Sequence, residues 1–123
     1  MAASEYLKSA AASLHQAANH LQRQARDMQA SLTRLRADKH TLINKGSLKV
    51  KTSQVEYDAI QDEGKRSKLA IQIEKLQHEI MAAEQELKQA EKDLVDAAEA
   101  KLKAAMGIEN QAKQLEDQAT RID

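Results

Sequence analysis

The sequence predicts an all-α fold: an antiparallel coiled-coil helical hairpin with a longer second helix, associating into a multi-helix bundle. Three observations carry this expectation. Leu7, Leu14, Leu21, Met28, Leu35 and Leu42 stand seven residues apart, with Ala11, Ala18, Ala25, Leu32 and Lys39 at the alternate seam position, and steps of four and three are the mark of a heptad helix. No proline occurs in 123 residues, so nothing removes a backbone donor or clashes with the preceding turn. Aromatic residues make up only 2% of the chain. Rings usually carry much of a globular core's area, so burial here must come from long helix seams.

The first helix takes Ser4 as its cap, with Glu5 well placed in the first turn. Lys45-Gly46 reads as its end, a cation followed by glycine. Ser47 to Thr52 alternates apolar and polar residues, which predicts an extended connector. Ser53-Gln54-Val55-Glu56 is a capping box, in which serine and glutamate satisfy each other's backbone amides. The expected boundaries within a single coiled-coil unit, residues 1–123, are therefore helix one over about 4–45, a turn over about 46–53 and helix two over about 54–122.

Helix two opens with a polar run, Gln61 to Lys68, that includes Gly64 and leaves room for a kink or a break. From Leu69 the seam is regular, with Ile73, Ile80, Leu87 and Leu94 alternating with Leu69, Leu76, Ala83 and Ala90. It slips by an eleven-residue step through Ala98 and Leu102 to Ala105, which relaxes a left-handed supercoil. Gly107 offers a hinge.

A turn centred between Val50 and Lys51 sets Leu14 against Leu87 and makes Lys39 and Asp62 a polar register pair in the seam. It also strands residues 99–123 beyond the hairpin. Leu102, Ala105, Ile108, Ala112, Leu115, Ala119 and Ile122 then form an unpartnered partner-binding seam. An isolated two-helix hairpin is marginal, so the expected partner is the chain itself, as a homo-oligomer, or another helical protein.

Charge balances at nineteen acids to nineteen bases, yet it is unevenly spread. Arg34, Arg36, Lys45, Lys49 and Lys51 form a basic tip on this register, while residues 74–123 hold twelve acids against seven bases. Such asymmetry bears on partners more than on fold. Without cysteine there is no disulfide framework or thiolate chemistry. His15, His20, His40 and His78 form no His-x-x-x-His pair, so no metal, cofactor or catalytic residue is expected. The alanine-rich start lacks a basic flank and a long apolar run, no segment has the length and apolarity to span a bilayer, and the expected location is cytoplasmic.

Leu42-Ile43-Asn44-Lys45-Gly46 followed by Ser53-Gln54-Val55-Glu56-Tyr57-Asp58 is similar to the hairpin tip of periplasmic adaptor proteins of tripartite efflux systems. The resemblance implies a turn at these residues. It does not extend to that family's flanking β-domains or export signal, and several extra residues lie between glycine and serine.

The functional expectation is a non-enzymatic coiled-coil scaffold or adaptor. One alternative is a small helical chaperone or escort that holds a partner's amphipathic helix. The other is a nucleic-acid-binding arm that uses the basic tip on phosphates.

Overall fold

The computed structural model describes residues 2–122. It is an all-α helical hairpin, with α1 over Ala2–Ala59 and α2 over Glu63–Ile122 packed against each other, and no strand among the described residues. Asp123, the last residue of the expected overhang, lies outside the described residues.

The turn is therefore not at 46–53. It is the three-residue link Ile60-Gln61-Asp62, within the usual range for helix–helix connections. Asp62 is the cap of α2: its Oδ1 accepts from the Lys65 amide at 3.2 Å, and its carbonyl accepts from the Arg66 amide at 2.9 Å. The side chain thus satisfies one of the orphan donors at the start of α2, and the carbonyl accepts the helix's first backbone bond. α1 closes with the Ile60 amide donating to the Glu56 carbonyl at 3.0 Å. No described residue has a positive φ, so the link needs no glycine.

The residues expected to form the turn are helical instead. Ile43, Gly46, Val50, Ser53, Tyr57 and Ile60 continue steps of three and four, and each is half-buried. Packing along this face outweighs the capping box at Ser53, since serine and glutamate are tolerated inside a helix. The resemblance to an adaptor hairpin tip ends there too, because its turn is absent. Leu42 falls outside the seam at 52% exposure, displaced by an eleven-residue step from Leu32 to Ile43.

Packing divides the chain into two compact units, Leu32–Lys92 and Met1–Ser31 with Asp93–Asp123. The first, the turn unit, buries Leu32, Leu69, Ile73, Ala83 and Leu87. Beside its turn the Arg66 guanidinium stacks over the Tyr57 ring at 4.5 Å, a cation–π contact that closes the end of the core.

The second, the end unit, is built differently. Its buried residues are Ser4, Ala11, Ala18, Ala25, Ala98, Ala105, Ala112 and Ala119, all of them small. His15 meets Glu109 and Gln24 meets Lys101, a register that sets Ala11, Ala18 and Ala25 level with Ala112, Ala105 and Ala98. Alanine leaves little between facing backbones, so the helices approach closely, and half-buried Leu7, Leu14, Leu21, Ile108 and Leu115 flank the seam.

Residues 99–122 are consequently no overhang. Ala105, Ala112 and Ala119 are fully buried and Ile108 and Leu115 half-buried within this unit, while Leu102 and Ile122 remain exposed. Leu14 lies level with Ile108, not with Leu87.

Gly46 and Gly107 both lie inside helices. A Cβ at Gly46 would meet Ile80 Cγ1 at 2.9 Å, whereas one at Gly107 would meet nothing within 4 Å. Gly46 thus serves close approach, and Gly107 is a helical residue with open space beside it. Gly107→Ala is expected to raise unfolding stability by about 0.8–1 kcal/mol. Gly46→Ala is expected to gain less than that, or to lose stability, until Ile80→Ala makes room. Urea denaturation of the two single variants and the Gly46/Ile80 double-mutant cycle measures the difference.

Candidate functional site

The corrected turn redistributes the residues that sequence reading had grouped. Lys39 and Asp62 are not a pair, since Asp62 caps α2. Lys39, half-buried in the seam, donates from Nζ to Glu86 at 2.7 Å. That hydrogen bond, aided by the ammonium charge, holds the Glu86 carboxyl below the ordinary range. One step along, Arg36 Nε donates to Glu91 at 2.9 Å. Both cations face α2, so both find acids.

The basic residues do not form a tip. Arg34, Lys45, Lys49 and Lys51 lie on exposed positions along α1, and the residues around the turn carry both signs, Asp58, Asp62 and Glu63 with Lys65, Arg66 and Lys68. Among the described residues no group of three or more His, Cys, Asp or Glu is placed to hold a metal ion. No helix is long and apolar enough to cross a membrane.

A groove does form, in the turn unit. Ser47, Val50 and Lys51 line it from α1, and Gln77, Ile80, Met81 and Glu84 line it from α2. Val50 and Ile80 give an apolar floor; Lys51 and Glu84 give a rim of both signs. It follows from residue size. Ser47 is too short to cover the seam beside it, and Met81 projects at 58% exposure. Sequence reading missed the groove because the misplaced turn put Ser47 to Thr52 in a connector.

The end unit holds a second feature that was missed. His15 bridges the helices, its Nδ1 to Glu109 Oε2 at 2.8 Å and its Nε2 to Glu116 Oε1 at 2.5 Å. Glu109 and Glu116 stand seven residues apart on one face of α2, a spacing visible in the sequence once the register is known. The hydrogen bond to Glu116 raises the His15 pKa; desolvation opposes it, and the Glu109 hydrogen bond and both carboxylate charges add to the rise. By contrast, His78 sits 4.0 Å from Glu74 on an exposed face, and His20 accepts from Gln24 at 3.0 Å.

Comparison of the chain with protein-family models, curated proteins and solved structures found no match.

Because the folded His15 pKa lies above the usual 6.5, its contribution to stability is fully present below about pH 6.5 and is lost as pH rises through the raised value. His15→Gln is expected to remove that part of the pH dependence. Urea midpoints measured between about pH 5.5 and 8.5 check it: the wild type loses stability relative to the variant towards the alkaline end.

Proposed function

We propose that the protein is a non-enzymatic coiled-coil scaffold or adaptor that engages helical partners through its turn unit. The observation that carries this reading is the apolar surface that unit leaves exposed. Leu42, Leu48, Val55, Ile71 and Met81 are all more than half exposed, and the groove between its helices has an apolar floor. The end unit closes on its own alanine seam, with Tyr6, Met106 and Ile122 exposed outside it. The turn unit does not close in the same way. Val50 and Ile80 stay half-buried at its flank, and a third helix would cover them.

The groove also favours one second reading, an escort that holds a partner's amphipathic helix. The two differ in what the partner does once bound. A scaffold engages a helix that is already folded, whereas an escort engages one that is unfolded alone. Nucleic-acid binding draws no support from the geometry, since the cations are spread along α1 without aromatic rings for stacking.

A photo-crosslinking residue placed at Met81 tests the reading in cells. It is expected to capture a helical protein there, while the same residue at exposed Ala104 in the end unit captures nothing above background. Met81→Lys is expected to abolish partner association with helicity unchanged by circular dichroism. Equal capture at both positions would refute the assignment.

A further inference from the structure

One surface takes no part in the hairpin and lies away from the groove. On α1, Ala37, Thr41, Leu48, Thr52, Val55 and Ala59 are all exposed, and their spacings place them on one stripe. The seam residues Lys39, Ile43, Gly46, Val50, Ser53 and Tyr57 occupy the opposite side of the same helix. Asn44 is the one further member, so the stripe carries no charge over about six helical turns. The Thr41 hydroxyl donates to the Ala37 carbonyl and that of Thr52 to the Leu48 carbonyl, each at 3.0 Å. Those hydroxyls are satisfied within the helix and need no water, so burying them costs little.

The charges beside the stripe are segregated along the helix. Lys45, Lys49 and Lys51 come first; Glu56 and Asp58 follow. None of the five makes an ion pair among the described residues, unlike Arg36 and Lys39, which face α2. A parallel copy would set like charge beside like. An antiparallel copy, related by a two-fold axis near Thr52, sets Leu48 against the partner's Val55. It also brings Lys45 and Lys49 towards the partner's Glu56, and Lys51 towards the partner's Asp58.

We infer that the outer face of α1 is a self-association site, on which a second copy of this chain docks antiparallel about Thr52. The inference rests on the scaffold reading and names one partner of it. Every contact occurs twice under the two-fold, as an isologous interface requires. Centred near Thr52, the two stripes overlap over residues 45–59, about four turns. A two-helix contact of that length falls below about 1,200 Å² of total buried area, in the range of weak and transient complexes. The expected dissociation constant is therefore on the order of micromolar, and the attraction between the blocks weakens with salt.

Sedimentation equilibrium of the full chain tests it. The wild type is expected to show a reversible monomer–dimer equilibrium, and Val55→Lys to raise the dissociation constant at least about tenfold with helicity unchanged. Reversing the basic block (Lys45→Glu, Lys49→Glu, Lys51→Glu) or the acidic one (Glu56→Lys, Asp58→Lys) is expected to give monomers. Mixed together, the two reversed chains are expected to form a 1:1 dimer. The chain has no cysteine, so Thr52→Cys should crosslink to itself under mild oxidation. A monomeric wild type at about 0.1 mM, well above the expected constant, overturns the inference, as does a dimer indifferent to Val55→Lys and to both reversals. Either result leaves the Met81 crosslinks to decide the scaffold reading separately.

Discussion

An antiparallel helical hairpin depends on one quantity above all, its register, and the place of the turn decides it. Moving the turn by one residue shifts every facing pair by two, so a seam that meets its partner on one choice is stranded on another. Here the link at Ile60-Gln61-Asp62 brings His15 to Glu109, Gln24 to Lys101 and Lys39 to Glu86. Each of these contacts needs the turn where it is. The Asp62 cap contributes about 1 kcal/mol by itself, too little to determine the register alone. Continuous burial of Ile43, Val50 and Tyr57 along α1 does the rest.

The fold class was legible because it depends on periodicity, and heptad spacing survives errors of register. The seam of α2 from Leu69 to Leu94 was legible for the same reason. The turn was not, because two local signals pointed to the wrong place. Gly46 has the look of a helix stop, yet its missing side chain makes room for Ile80. Ser53 with Glu56 has the look of a capping box, yet Ser53 is half-buried mid-helix. Both are instances of tertiary packing overriding local preference. The true turn carried only Asp62 and the polar run after it, a weak signal beside two strong false ones. From that one displacement came the supposed overhang, the basic tip and the pairing of Lys39 with Asp62.

The two units solve the two-helix problem in different ways. In the end unit, alanine at nearly every inward position lets the backbones close over a seam that holds only small residues. Little apolar area is lost per residue, and Tyr6, Met106 and Ile122 remain exposed outside the seam. The turn unit uses Leu32, Leu69, Ile73 and Leu87, which bury more area each, while Val50 and Ile80 stay half-buried at its flank. The groove beside Val50 and Ile80 is the result, and its place follows from where alanine gives way to leucine and isoleucine in the seam.

Charge follows the same division. Cations that face α2 are consumed by it: Arg36 by Glu91 and Lys39 by Glu86. Those ion pairs are largely exposed, so each contributes modestly, and their stronger effect is to penalise other registers, in which the same cations would meet no acid. Among the described residues, Lys45, Lys49 and Lys51 make no ion pair with α2 and play no part in that selection. Nothing in the hairpin requires them to be grouped, or requires Glu56 and Asp58 to follow them. A lysine–glutamate arrangement intended only for solubility is better served by mixing signs every four residues, as Glu84–Lys88 and Glu99–Lys103 do on α2. A segregated order beside an uncharged stripe is matched by a surface with the reverse order. The chain itself supplies that surface when it is turned end for end.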